Sequence, residues 1–172
     1  MTKMVCYDSD GYILDWTEYL YDKSDNKIKD ISYRPEGTIK YWHEYEYDIS
    51  GNRTKDISYS LAGNINYRYE YEYDSSGHMA KYEIYNSNGK IEGRTEYEYD
   101  NLGNRTKEIF YRPAGDIGYR CEHEYDEAGN MTKETYYDSN GFIGYRSEYE
   151  YDESGNKTAE SLYARIPAMT TK

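Results

Sequence analysis

Residues 44–59 read Glu44-Tyr45-Glu46-Tyr47-Asp48-Ile49-Ser50-Gly51-Asn52-Arg53-Thr54-Lys55-Asp56-Ile57-Ser58-Tyr59. Two runs of alternating polar and apolar residues flank one turn signal. Asp48 suits the first position of a type I turn, and Gly51 suits the left-handed position that closes a three-residue hairpin loop with a one-residue bulge. Outward from this stretch the same run returns. EYLYD ends at Asp22, EYEYD at Asp48, Asp74, Asp100 and Asp152, and EHEYD at Asp126, a period of 26 residues that never slips. A fixed period of this length defines a repeat architecture in which each unit leans on its neighbours.

Each repeat splits into two halves with one shared signal, Tyr-x-x-x-Gly. It starts at Tyr7, Tyr21, Tyr33, Tyr47 and Tyr59, and continues in the same alternation to Tyr151. Asp25 alone replaces the glycine, and Asp tolerates the left-handed conformation better than most residues. Gly51, Gly63, Gly103 and Gly129 are therefore read as structural turn residues with positive φ. Arg34-Pro35-Glu36-Gly37 and Arg112-Pro113-Ala114-Gly115 place Pro where its fixed φ favours the same turn.

Between turns the residues alternate. In Ile65–Tyr73, Ile and four tyrosines share one face, while Asn66, Arg68, Glu70 and Glu72 share the other. A three-residue loop at Leu61–Gly63 sets Tyr59 opposite Ile65. Simple counting then puts Ile57 opposite Tyr67, Lys55 opposite Tyr69, Arg53 opposite Tyr71, and Asp56 opposite Arg68. Columns recur along the chain: Ile13, Ile39, Ile65, Ile91, Ile117 and Ile143; then Trp16, Trp42, Arg68, Arg94, Arg120 and Arg146. The expected fold is all-β: tandem 26-residue β-hairpin repeats in one long antiparallel meander of about twelve strands, curled or open. The array covers 1–163, and 164–172 form a tail containing Pro167.

Composition narrows the function. Aliphatic residues are few and charge is high, a balance that normally accompanies disorder. The 26 tyrosines reverse that reading, since Tyr favours strands and supplies a large ring with a polar tip. A net charge of −12 opposes binding to nucleic acid, where phosphates must be met by Lys and Arg. No apolar run suits a membrane span or a signal peptide, so membrane insertion is not expected. These features leave the location open between the cytoplasm and export by a non-classical route. Cys6 and Cys121 make no disulfide framework.

EYEYDISGNRTK, EYEYDNLGNRTK and EHEYDEAGNMTK resemble the YD repeats of the RHS family. The motif, Tyr-x-Tyr-Asp, two free positions, then Gly and a polar residue, falls on Tyr45, Tyr47, Asp48, Gly51 and Asn52 and on each later copy. RHS proteins are large bacterial proteins whose YD strands spiral into a shell around a toxin domain. The resemblance implies a long curling sheet and a non-catalytic role. A weaker similarity links the chain to short MORN-like and YwqK-like hairpin repeats.

No catalytic constellation emerges. His43, His78 and His123 occupy unrelated repeat positions, and pairs such as Glu70 and Glu72 recur too often to mark one site. The Asp-x-x-Gly turns resemble calcium loops, but turn chemistry accounts for one Asp per turn, so no metal and no cofactor is expected. Two readings of the tyrosines stand. They form the core, or Tyr45, Tyr47, Tyr71, Tyr73, Tyr97 and Tyr99 form a platform that stacks on sugar rings. The expected function is a non-enzymatic structural or interaction module forming a wall, scaffold or docking surface. The alternatives are a carbohydrate-binding module and an immunity protein that meets a toxin through its acidic face. The partner is accordingly a protein or a polysaccharide.

Overall fold

The structure, a computed structural model, describes residues 2–164, so the expected tail lies outside the described residues except for Ala164. Twelve turns join thirteen strands: β1 (Thr2–Tyr7), β2 (Ile13–Tyr21), β3 (Lys27–Tyr33), β4 (Ile39–Tyr47), β5 (Arg53–Ser60), β6 (Ile65–Tyr73), β7 (Met79–Asn86), β8 (Ile91–Tyr99), β9 (Arg105–Tyr111), β10 (Ile117–Tyr125), β11 (Met131–Tyr137), β12 (Ile143–Tyr151) and β13 (Lys157–Ala164). They are hydrogen-bonded in chain order as one open meander. Among the described residues there is no helix and no second sheet. The chain divides into two compact units, Met1–Glu92 and Gly93–Lys172.

The turns close as the sequence dictates. The Asp48 N–H donates to the Asn52 carbonyl at 2.9 Å, and the Gly51 N–H donates to the Asp48 carbonyl at 3.1 Å. Gly51, Gly63, Gly103 and Gly129 have φ of +84°, +80°, +85° and +84°, and Asp25 has +66°.

The register beyond the turn is not the one that simple counting gives. Tyr59 pairs with Ile65, but the next pair is Ser58 with Tyr67. Asn66 is absorbed in a β-bulge, where two residues of one strand oppose one of the other. Ile57 therefore faces Arg68, Asp56 faces Tyr69 and Lys55 faces Glu70. The expected pairings of Ile57 with Tyr67, Lys55 with Tyr69, Arg53 with Tyr71 and Asp56 with Arg68 do not form. The same slip, on the second residue after the turn, occurs in all eleven neighbouring pairs whose register is described. Bulges of this kind bend the strand and increase its right-handed twist.

One consequence is an ion pair that a regular strand forbids. Residues i and i+3 of a strand normally point to opposite faces. The bulge at Thr54 returns Arg53 to the face of Asp56, and their charged groups lie 3.6 Å apart. Lys27 and Asp30 meet in the same way at 2.8 Å, as do Arg105 and Glu108 at 3.1 Å.

In the first unit, one face carries Tyr41, His43, Tyr45, Tyr67, Tyr69, Tyr71 and Tyr82 as a ring network with neighbouring centroids 5.3–6.5 Å apart. Ser32 and Ser58 lie buried beneath it. The opposite face is a ladder in which Trp16 stacks on Tyr33 and Trp42 on Tyr59, at 5.2 and 5.0 Å. Arg68 replaces the indole in the next copy and lies 4.1 Å over the ring of Tyr85. The only large apolar side chain buried among the described residues is Tyr45. The inner tyrosines Tyr67 and Tyr71 are half-buried, shielded by neighbouring rings within the one layer.

In the second unit, Arg94, Arg120 and Arg146 lie 4.2, 4.1 and 4.6 Å over Tyr111, Tyr137 and Tyr163. Its ring face is built differently. Phe110, Tyr119, Tyr136 and Tyr145 stack in one row at 5.4–5.8 Å. Glycines make room for the larger rings: a Cβ at Gly118 would lie 2.5 Å from Phe110, and one at Gly144 would lie 2.8 Å from Tyr136.

Candidate functional site

The side chain of each turn Asp organises its own loop. The Asp48 Oδ1 accepts the N–H groups of Ser50 and Asn52, both at 2.9 Å, and its Oδ2 accepts the Asn52 side-chain amide at 3.0 Å. Asp22, Asp100, Asp126 and Asp152 repeat the arrangement with Asn26, Asn104, Asn130 and Asn156. At Asp74 the imidazole of His78 takes the amide's place at 3.2 Å. Hydrogen bonds from backbone N–H groups and from the Asn side chain, or from His78 at Asp74, stabilise the ionised form. They hold the carboxyls of Asp22, Asp48, Asp74, Asp100, Asp126 and Asp152 below the usual range.

The six platform tyrosines do not sit alike. Tyr45 is buried, and its hydroxyl donates to the Asp30 Oδ2 at 2.7 Å. Desolvation and that carboxylate push its pKa upward. Tyr47 is half-buried and donates to the Lys27 carbonyl at 2.8 Å. Tyr73 donates to the Arg53 carbonyl at 2.9 Å. The same tie, from a Tyr to the carbonyl twenty residues earlier, recurs at Tyr125 and Tyr151. Tyr71 is half-buried against Tyr69 and Tyr82, and burial raises its pKa to about 12. In the second unit Tyr97 carries Arg105 at 5.3 Å over its ring, and Tyr99 pairs with Arg105.

In each unit the bulges bring carboxylates to the ring face. Asp30 is buried between Tyr45 and Lys27, and Asp56 lies 3.3 Å from the His43 Nδ1. Glu108 accepts the Tyr119 hydroxyl at 2.6 Å. Each sits three residues after a Lys or Arg, and that spacing is the signal in the sequence. Among the described residues no group of three or more His, Cys, Asp or Glu is placed to hold a metal ion.

Two clefts open along the turn edge of the first unit. One, about 870 Å³, lies between the turns at Asp22 and Asp48. The other, about 710 Å³, lies between the turns at Asp48 and Asp74. Tyr45 and Tyr47 line the first, Tyr71 and Tyr73 the second. Four residues read from sequence as part of one platform are thus distributed between two notches at the margin of the sheet.

No known protein family matches the chain, and no curated protein does so. Solved structures do. TcdB2-TccC3-TEV is 15% identical, with a TM-score of 0.57 over 94% of this chain and 9% of its own. TcdB2-TccC3 without its hypervariable C-terminal region is also 15% identical, with a TM-score of 0.53 over 93% of this chain and 10% of its own. The chain thus spans about a tenth of the length of these proteins. A porin-like protein from Bacteroides uniformis is 10% identical, with a TM-score of 0.44 over 92% of this chain and 85% of its own. At these identities the likeness to the TcdB2-TccC3 structures is one of fold, and it supports an RHS-like repeat sheet. Among the described residues no helix is long and apolar enough to cross a membrane.

Proposed function

We propose that the chain is a non-enzymatic structural repeat module, an RHS/YD-like wall whose turn edge serves as a docking surface. The observation that carries this reading is that each repeat is tied to the next by the same groups at the same positions. Tyr hydroxyls reach carbonyls of the preceding strand, and Trp42 and Arg68 each cover a Tyr near the end of the following strand. Glu70, Glu96, Glu122 and Glu148 each have an Arg Nε within 3.0–3.2 Å. Carboxylates that recur in four successive repeats beside a cation suit a self-paired sheet better than one tuned reaction centre.

A wall must hold its repeats at fixed separation. Spin labels at Ser24→Cys and Ser76→Cys, with Cys6→Ser and Cys121→Ala removing the native thiols, report the distance between turns two repeats apart. One narrow distance distribution is expected. A broad or multimodal one would overturn the wall.

A further inference from the structure

We propose that the turn edge of the first unit docks a basic partner segment in the polyproline II conformation, carrying Lys or Arg at every third residue. The inference rests on the docking-surface reading above and names its partner's chemistry. It starts from the two clefts. Every residue lining the second is the residue 26 positions after one lining the first. Asp22, Tyr45, Glu46, Tyr47 and Asp48 become Asp48, Tyr71, Glu72, Tyr73 and Asp74, with Asp48 shared. The edge thus offers the same cleft twice in succession.

The clefts select charge. Each is lined by three carboxylates, and no Lys or Arg is among the described lining residues. Glu46 and Glu72 are shared with Lys55 and Lys81 from the sheet. Asp22 and Asp48 stay ionised because their own turns stabilise the charge. Tyr walls beside carboxylates favour a cation on an apolar stem, which Lys and Arg provide.

Spacing then selects conformation. Equivalent clefts are two strands apart, about 9.6 Å. A polyproline II segment turns once in three residues and rises about 9.3 Å, so every third side chain points to the same side at nearly that distance. In a β-strand the third residue points the other way. An α-helix needs about seven residues for the distance and is about 10–12 Å wide. Aromatic-lined grooves are also the usual seat of polyproline II ligands.

The probe is fluorescein-labelled (Lys-Pro-Pro)4, titrated by anisotropy against the full chain at low salt. Two controls accompany it: a peptide of the same composition with its lysines contiguous, and a helical peptide with lysines seven residues apart. The variant is Glu46→Gln/Asp48→Asn/Glu72→Gln. Asn86 already organises an equivalent turn, accepting the N–H groups of Asn88 and Lys90, so Asp48→Asn keeps the loop. The expected result is tighter binding of the triplet-spaced peptide than of either control, weakened about tenfold in the variant and further by salt. Equal binding of the contiguous peptide, tighter binding of the helical one, or no binding would each overturn the proposal. If the labels at residues 24 and 76 still give a narrow distance, the wall stands without this partner. The variant's circular-dichroism melt separates lost binding from lost fold.

Discussion

At Asp25 the chain does with a carboxylate-bearing residue what eleven glycines do at the other turns. A left-handed conformation costs an L-residue about 1–2 kcal/mol, somewhat less for Asp. Asp25→Gly relieves that strain but loosens the unfolded chain, which offsets part of the gain. The net expectation is a stabilisation of about 0.5–1 kcal/mol, read as a rise in melting temperature; an unchanged or lower value would contradict the turn geometry. Gly51→Val runs the other way and should cost at least about 1–2 kcal/mol. Tyr73→Phe isolates a single hydroxyl, the one that donates to the Arg53 carbonyl. Its loss should cost about 1 kcal/mol and leave the ring packing intact.

Between strands, the bulge decides which side chains meet, and two packings satisfy it. In the first unit the small Ser58 hydroxyl accepts a bond from the Asn66 amide at 3.4 Å. In the second, Phe110 fills the position equivalent to Ser58, and Gly118 replaces the equivalent of Asn66. Gly118→Asn alone should therefore cost about 1–3 kcal/mol through overpacking. Adding Phe110→Ser should recover part of that loss. Recovery stays partial because Phe110 also fills the space over Gly93. A denaturant double-mutant cycle that shows simple additivity would refute this account. The column at Arg68 offers the complementary test. Trp16 and Trp42 fill the same position, so Arg68→Trp should fall within about 1 kcal/mol of the parent, whereas Arg68→Ala loses its cover of Tyr85. The repeat, its turns and these columns were legible in the sequence because period and turn chemistry act locally. The bulge was not, because its extra residue has no constant type: Ile28, Lys40, Thr54, Asn66, Ala80 and Gly118 all serve. Missing it misplaced the register and hid the carboxylates that the Arg53–Asp56 spacing brings to the ring face. The clefts were hidden for another reason: they arise between successive turns, whereas a sequence pattern describes one turn at a time.

Across the whole molecule, identical groups repeated at identical positions make stability respond to pH at both extremes. The turn carboxyls have folded-state pKa values below their unfolded value near 3.9. Their stabilisation is present above that value and is lost as pH falls through the lower folded values. All the turns weaken in one window, so acid unfolding should begin below about pH 4. The alkaline side belongs to tyrosine. Burial raises the pKa of Tyr71 to about 12, desolvation and the Glu83 carboxylate do the same for Tyr85, and Tyr33, Tyr59, Tyr67 and Tyr145 shift upward as well. An acid whose folded pKa is raised stabilises the fold fully below its unfolded value, about 10 for Tyr, and loses that contribution as pH rises to the folded value. A leucine-cored protein would lack this sensitivity. Melting temperature should therefore hold to about pH 10 and fall steeply between pH 10 and 12, with phenolate absorbance appearing together with loss of the β signal in circular dichroism. Tyr71→Phe should move the onset upward, since a ring without a hydroxyl has nothing to ionise there. Phenolate absorbance that develops fully while the β signal persists would show that the rings titrate in the folded sheet, and would contradict a fold held together by half-buried tyrosines.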